Sequence, residues 1–189
     1  MSLSRRVCAY ARWFLLAALA LSCRSENAAP IQLVVGNDVH QRVTFTPVSA
    51  FAEYVQVAGS GNELHLTLAG YEASCERFVP PKSGQALVSV SVVTPRGSPL
   101  APGVFGWDGH PAHGGTQTSP ERAYAVPNAR IGQKSFVFPP GGSIRLSEVA
   151  LERAGKLKGF LAFEFAGSAE REAASISGSF EARLCRVRL

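Results

Sequence analysis

The sequence lacks the short motifs that carry most familiar enzyme chemistries. It contains no Gly-x-Ser-x-Gly nucleophile elbow, no Ser-x-x-Lys with a matching Lys-Thr-Gly, no His-Glu-x-x-His zinc motif and no glycine-rich phosphate loop between a strand and a helix. Serines are abundant, so a chance meeting of serine, histidine and carboxylate carries no meaning without geometry. The sequence therefore predicts a non-enzymatic protein without a cofactor.

Helical periodicity is also nearly absent, and so is any cluster of basic charge. The chain carries 19 Lys and Arg residues against 14 Asp and Glu residues, but three of the arginines lie in the N-terminal leader described next. The remaining charges are scattered and nearly balanced. Because nucleic-acid binding needs a concentrated basic surface, we expect no nucleic-acid partner.

The first 22 residues have the pattern of an export signal. Three arginines precede the apolar run from Trp13 to Leu21. A positive segment followed by an apolar run too short to anchor in a bilayer is what the export machinery recognises. We expect residues 1–22 to be a signal peptide that is removed from the mature protein.

The end of this leader, Ala20-Leu21-Ser22-Cys23, resembles the lipobox of bacterial lipoproteins, in which the cysteine after a small residue is lipidated. The resemblance implies that Cys23 carries the lipid and that residues 23–30 tether it to a domain spanning 31–189. Arg24 follows the cysteine in place of the Asp that retains lipoproteins in the inner membrane. We therefore expect an outer-membrane lipoprotein on the periplasmic or surface face, with an envelope protein or glycan as partner. The alternative is ordinary signal-peptidase cleavage, which would give a periplasmic or secreted soluble protein.

Four cysteines are present, and two of them remain for the folded domain. Cys8 leaves with the leader and Cys23 would carry the lipid, which leaves Cys75 and Cys185. Two cysteines in an oxidising compartment predict one disulfide bond. The alternation of apolar residues in the closing strand puts Cys185 on the polar face. Either a bulge lies near the end of this strand, or the partner cysteine approaches from outside the core.

Alternation of apolar and polar residues with period two dominates the rest of the chain, interrupted by Gly, Pro, Asn and Ser. This pattern predicts about eleven short strands and an all-β fold, an antiparallel two-sheet β-sandwich of the Ig-like or jelly-roll-like kind. The predicted strands are 31–35, 42–45, 51–57, 64–68, 73–78, 86–93, 123–126, 135–138, 143–151, 157–165 and 176–187.

The second half of the chain has the clearest strand pattern. Phe163 and Phe180 would face the core from the two strands of a final hairpin, and burial of each large side chain is worth about 1.5 to 3 kcal/mol. Within 143–151 the alternation changes phase at Ser147-Glu148. This change predicts a β-bulge or, alternatively, a short turn.

The closing pattern Ile176-Ser177-Gly178-Ser179-Phe180-Glu181-Ala182-Arg183-Leu184-Cys185 resembles the small single-domain β-sandwich lipoproteins of Gram-negative bacteria. This resemblance implies export and a β fold. It assigns a role to no residue, because the pattern describes a strand and not a site.

Residues 94–122 do not follow the strand pattern and contain five prolines and many glycines. A connection longer than about 12 to 15 residues inside a compact domain is usually functional or disordered. Asp108, His110 and His113 are candidate metal ligands, because carboxylate and neutral imidazole suit Zn²⁺ or Cu²⁺. Further ligands would have to come from elsewhere in the chain. The candidates are Asp38, His40 and His65.

Two aromatic residues of the same stretch, Phe105 and Trp107, are candidate contacts for a carbohydrate or protein ligand. The alternative is a solvated loop whose histidines have no role. Because this stretch offers few apolar groups, we expect deletion of residues 107–115 to leave the fold intact.

These observations predict an exported, lipid-anchored envelope protein with a non-enzymatic binding or structural role. The alternative from a different class is a metal-binding protein or a metal-dependent enzyme that uses residues 107–113. The sequence names neither the ligand nor the partner, since a fold alone does not imply a function.

Overall fold

The computed structural model describes residues 31–35, 42–57, 61–107, 122–138, 140–165 and 174–188. Within these ranges no helix is long and apolar enough to cross a bilayer. Eleven β-strands account for most of the described chain. Their bounds are β1 Ile31–Val35, β2 Arg42–Phe45, β3 Ser49–Val57, β4 Gly61–Ala69, β5 Ala86–Thr94, β6 Gly103–Gly106, β7 Tyr124–Ile131, β8 Lys134–Val137, β9 Ser143–Val149, β10 Lys156–Phe165 and β11 Ala174–Arg188.

Hydrogen bonds join these strands into one curled mixed sheet with the order β6-β9-β10-β11-β3-β4-β5-β7-β8; β1 joins this sheet by pairing with β11, and β2 pairs with β1. The predicted all-β class is confirmed. The expectation of purely antiparallel pairing is wrong, because β3 and β11 run parallel. Strand β11 has 15 residues and pairs along one side with β10. Its other side pairs with β1 near the beginning of the strand and with β3 near its end. Strand β11 therefore contacts β10, β1 and β3 in the sheet.

The inner face of the sheet carries the main core. In β4 and β5 the alternation predicted from the sequence places directly opposed pairs of Leu and Val on one face, with Leu66 opposite Val90 and Leu68 opposite Val88. All four side chains are fully buried. Because side chains alternate along a strand, the residues between them lie on the outer face of the sheet.

The predicted final hairpin is confirmed. Strands β10 and β11 pair antiparallel, and Phe163 lies directly opposite Ile176 in the core. Phe180 lies opposite Gly159, where a Cβ atom would come within 2.8 Å of the Phe180 ring. Glycine at position 159 therefore leaves the space that the aromatic ring fills.

The predicted bulge in 143–151 is also confirmed. Lys158 of β10 lies opposite Glu148 of β9, but the next residue, Gly159, lies opposite Leu146. Ser147 is therefore the extra residue, and its hydroxyl donates to the Lys158 carbonyl over 3.2 Å. Because of this extra residue, the apolar side chains after the bulge alternate in the opposite phase to those before it.

Trp107 connects the two ends of the sheet. Its indole Nε1 donates to the carbonyl of Phe138 over 2.7 Å. Trp107 follows β6 and Phe138 follows β8, the first and last strands in the sheet order. The backbone of Trp107 also exchanges hydrogen bonds with Gly141 and Gly142. The sheet therefore curls far enough to bring its two terminal strands together.

Candidate functional site

Residues 70–85, here called the strap, connect β4 to β5 along the outer face of the sheet. Tyr71 of the strap packs with Ala69 and Leu87, which lie opposite each other on β4 and β5, in a small cluster separate from the main core. Residues 73–78 of the strap form no strand, so the strand predicted there is wrong. The physical reason is that β4 already pairs with β3 and β5, which leaves no free edge beside it.

Three hydrogen bonds hold the strap in place. The backbone N–H of Ala73 donates to the Ser49 hydroxyl over 2.9 Å. The Tyr71 hydroxyl donates to the carbonyl of Val79, within the strap, over 2.8 Å. The backbone N–H of Gly70 donates to the Ala86 carbonyl over 2.9 Å. The strap is therefore attached to β3 and β5 and is closed on itself.

A cysteine pair makes the fourth attachment. Cys75 and Cys185 lie at disulfide-bonding distance, with Cα atoms 6.2 Å apart, and the predicted pairing is confirmed. Leu184 and Arg186 of β11 oppose consecutive residues of β3, so Cys185 is a bulged residue. Its partner reaches it from outside the core, on the strap. Both explanations offered for the polar-face position of Cys185 therefore hold.

The strap encloses a depression of about 760 Å³ on the outer face. The side chains that line it carry two positive charges, from Arg77 and Lys82, and one negative charge, from Glu72. Ser74 Oγ accepts the Arg77 backbone N–H over 3.2 Å. Gln85 Oε1 accepts the Lys82 backbone N–H over 2.8 Å. These local bonds define the path of the strap at both cationic residues.

The floor of the depression includes the Tyr71 side chain. Burial raises the pKa of the Tyr71 phenol above its usual value, and the positive charge of Arg130 opposes this rise. The phenol therefore stays protonated at neutral pH and keeps its bond to Val79. Arg130 adds a further positive charge close to the depression.

Two exposed apolar residues, Val48 in the lining and Phe78 next to lining residues in the chain, are here called the rim of the depression. Val48 lines the depression and is 63% exposed, and Phe78, which lies between two lining residues of the strap, is 53% exposed. Exposed large apolar side chains beside a polar depression are typical of surfaces that contact other molecules.

A second polar cluster lies further along the outer face. His65 Nδ1 is 3.0 Å from Ser91 Oγ on the neighbouring strand, and His65 Nε2 is 3.5 Å from a Glu63 carboxylate oxygen. This arrangement brings together the three side-chain types of a hydrolytic triad. His65 is the exposed position of β4, on the outer face of the sheet.

The strands that carry this cluster offer no oxyanion site. Strand β4 lies between β3 and β5, and β5 lies between β4 and β7, so their backbone N–H groups bond to neighbouring strands. No backbone donor of β4 or β5 is therefore left to stabilise a negative charge beside Ser91. The arrangement is therefore a hydrogen-bonded polar cluster on the outer face of the sheet.

The aromatic candidates of the sequence analysis are part of the fold. Phe105 is 7% exposed and lies in the main core, and Trp107 packs against that core in addition to bonding Phe138. Both rings are used in packing, and the role of Phe105 and Trp107 as ligand contacts stays a prediction. Deletion of residues 107–115 would remove Trp107 and with it the connection between the sheet ends.

The other candidates of the sequence analysis lie outside the described residues. They are the cysteine that is predicted to carry the lipid, the three candidate metal ligands in residues 94–122, and two of the possible further ligands. Within the described part of the chain, no group of three or more His, Cys, Asp or Glu side chains could hold a metal ion. The candidate residues that lie outside the described part of the chain are Cys23, Asp38, His40, Asp108, His110 and His113.

The structure also reveals polar residues that the sequence analysis missed. Asn62 and Thr94 are both buried, and each donates from its side chain to the Ser98 carbonyl, over 2.9 Å and 2.8 Å. A signal was present, because both positions are in phase with the apolar core positions of β4 and β5. A polar side chain at a core position implies a hydrogen-bond partner nearby.

Comparisons with known protein families, curated proteins and solved structures find no match to this chain. The candidate site therefore has to be interpreted from its own geometry and chemistry.

Proposed function

We propose that this protein is an exported, lipid-anchored protein of the cell envelope that binds a partner, without catalysis, through the strap depression. The leader and its lipobox pattern support export and anchoring at Cys23. The strap supports binding, because it presents a charged depression with an apolar rim on a rigid sheet.

The length and attachment of the strap carry the proposal. Strands β4 and β5 are antiparallel neighbours, and such strands are usually joined by two to five residues. Here residues 70–85 join them, and a cysteine pair together with side-chain hydrogen bonds keeps this long connection in one conformation. An ordered connection of this length that contributes nothing to the main core favours a role in binding.

The proposal also includes the way in which the sheet packs against itself. Buried residues of β4 and β5 and of β10 and β11 belong to one core cluster. We infer that the two halves of the curled sheet face each other as the layers of a sandwich, with the strap on the outside of one layer.

Membrane fractionation tests the anchoring. In the Cys23→Ala variant the protein should move from the membrane fraction to the soluble fraction, since lipid chains supply the membrane affinity. Cys8→Ala, which changes a leader cysteine, is the matched control and should fractionate like the natural protein. Membrane association that persists in Cys23→Ala would contradict the anchoring proposal.

Site-directed photo-crosslinking tests the binding role. A photoreactive side chain at position 48 or 78, on the rim of the depression, should give discrete adducts in intact cells. The matched controls are positions 104 and 160, where Val104 and Phe160 are also large, apolar and exposed but lie on β6 and β10. Adducts absent from the rim, or equal at rim and control positions, would contradict a binding role for the strap.

A further inference from the structure

Among the described residues, no carboxylate forms an ion pair with either cation of the strap, Arg77 or Lys82. Three strand cations do form such pairs: Lys156 pairs with Glu181 at 2.8 Å, Lys158 pairs with Glu148 at 2.8 Å, and Arg186 pairs with Glu53 at 3.5 Å. Other strand cations, such as Arg145 and Arg188, resemble the strap cations in this respect. Arg77 and Lys82 differ from them because both line one depression.

The side chains that line the depression carry one net positive charge, and the strap also contains Glu76 beside Arg77. Arg77 and Lys82 line the depression, and Arg130 is close enough to Tyr71 to lower the pKa of that phenol. Glu72 is the carboxylate that lines the same depression. An incoming anion would meet these cations at short range, where screening by salt is weakest.

From this arrangement we infer that the strap depression binds an oxyanion group of its ligand, a phosphate or a carboxylate, through Arg77 and Lys82. The inference rests on the proposed function and adds the chemical class of the ligand. Arg77 supplies a planar fork of donors suited to two oxygens of one group, and Lys82 supplies a compact charge.

The strap places these two side chains in advance. The bonds from Ser74 and Gln85 hold the backbone at Arg77 and Lys82, and the Cys75–Cys185 pair holds the strap against β11. Binding then requires only the two long side chains to become ordered, which keeps the entropic cost of binding low. The apolar rim residues, Val48 and Phe78, would contact the part of the ligand that bears the anion.

Amide chemical shifts of the purified protein, with its cysteine pair intact, provide the test. Titration with inorganic phosphate and with acetate should shift the amides of the strap, and titration with glucose, which has no charge, should not. In an Arg77→Gln and Lys82→Gln double variant, phosphate should bind about tenfold more weakly, since two exposed charged contacts are lost and solvent screens each of them. Raising the ionic strength should weaken binding to the natural protein.

A matched double variant separates a site from general charge. Arg145→Gln with Arg188→Gln removes two cations that do not line the depression, and it should bind phosphate like the natural protein. Equal loss in both double variants would overturn the inference, and so would strap amides that do not respond to either anion. If rim crosslinks form while neither anion binds, the binding role stands and the ligand class is wrong.

Two sources could supply the oxyanion, and vesicles distinguish them. Vesicles of phosphatidylcholine with phosphatidylglycerol, compared with phosphatidylcholine alone, present the group on a lipid surface. Binding to the anionic vesicles that requires Arg77 and Lys82 supports the inference with a lipid headgroup as ligand. Phosphate binding without vesicle binding supports it with a soluble or glycan-borne group.

Discussion

The strap and the connection after β5, here residues 95–107 with the short strand β6 included, both contain proline and glycine, yet they relate to the core in opposite ways. In the connection after β5, Leu100 and Phe105 are buried in the main core and Trp107 packs against it. In the strap, Tyr71 is buried in a separate small cluster, while Phe78 is 53% exposed. The connection after β5 is part of the packed sheet, whereas the strap lies on the surface of the sheet.

This difference shows that glycine and proline content does not reveal whether a connection packs into the core. The start of the connection after β5 is held by Asn62 and Thr94, which both bond the Ser98 carbonyl. The strap is held by a cysteine pair and by bonds to Ser49. What distinguishes the two connections is whether their apolar side chains reach the inner face of the sheet.

The largest effect that would test the comparison is the loss of a buried ring from the connection after β5. Phe105→Ala should reduce the free energy of unfolding by about 3 to 5 kcal/mol, because the variant loses buried apolar surface and leaves a cavity. Urea denaturation followed by circular dichroism measures the change. The matched control is Phe78→Ala in the strap, which should change the free energy of unfolding by less than about 0.5 kcal/mol.

Removal of the cysteine pair should have the next largest effect. Cys75 and Cys185 are 110 positions apart, and a crosslink over so long a loop restricts the unfolded chain strongly. The Cys75→Ser and Cys185→Ser double variant should lose about 2 to 4 kcal/mol of stability, although the core is unchanged. Thermal melting should show a single transition at a lower Tm, and reduced natural protein should behave in the same way. An unchanged Tm would mean that the strap contributes nothing to global stability.

Much of the sheet was predictable because its signals are local. The alternation in 31–35 and 42–45 gave strands with the observed bounds, and the phase change at Ser147 gave the bulge. The parallel pairing of β11 with β3 was not predictable, since it joins distant parts of the chain and leaves no mark in either strand. Of the candidate site, only the cysteine pairing was predicted. Arg77 and Lys82 line the same depression because the strap folds over the outer face of the sheet. No short-range sequence pattern predicts this arrangement.

Loss of single hydrogen bonds should sharpen the comparison at a smaller scale. Trp107→Phe keeps an aromatic ring but leaves the Phe138 carbonyl without its donor, so stability should fall by about 1 to 3 kcal/mol. Tyr71→Phe removes the bond to Val79 within the strap and should cost about 1 kcal/mol, because Val79 is only half-buried whereas Phe138 is buried. Denaturant midpoints measured side by side give the order. A larger loss for Tyr71→Phe would mean that the strap, and not Trp107, is the stronger structural element.

The smallest expected effect comes from exposed ion pairs of the sheet, which belong to neither connection. The hydrogen bond and the positive charge of Lys156 lower the pKa of the Glu181 carboxyl. A carboxyl whose pKa is lower in the folded state stabilises the fold above its unfolded pKa, near 4.3 for an ordinary glutamate, and loses this effect as the pH falls through the folded pKa. Acidification should therefore lower the Tm, with a contribution from Glu181 below about 2 °C, because solvent screens exposed pairs. Both Glu181→Gln and Lys156→Met should remove this part of the pH dependence. A Glu181→Gln variant that keeps the full acid sensitivity of the natural protein would show that other carboxyls cause it.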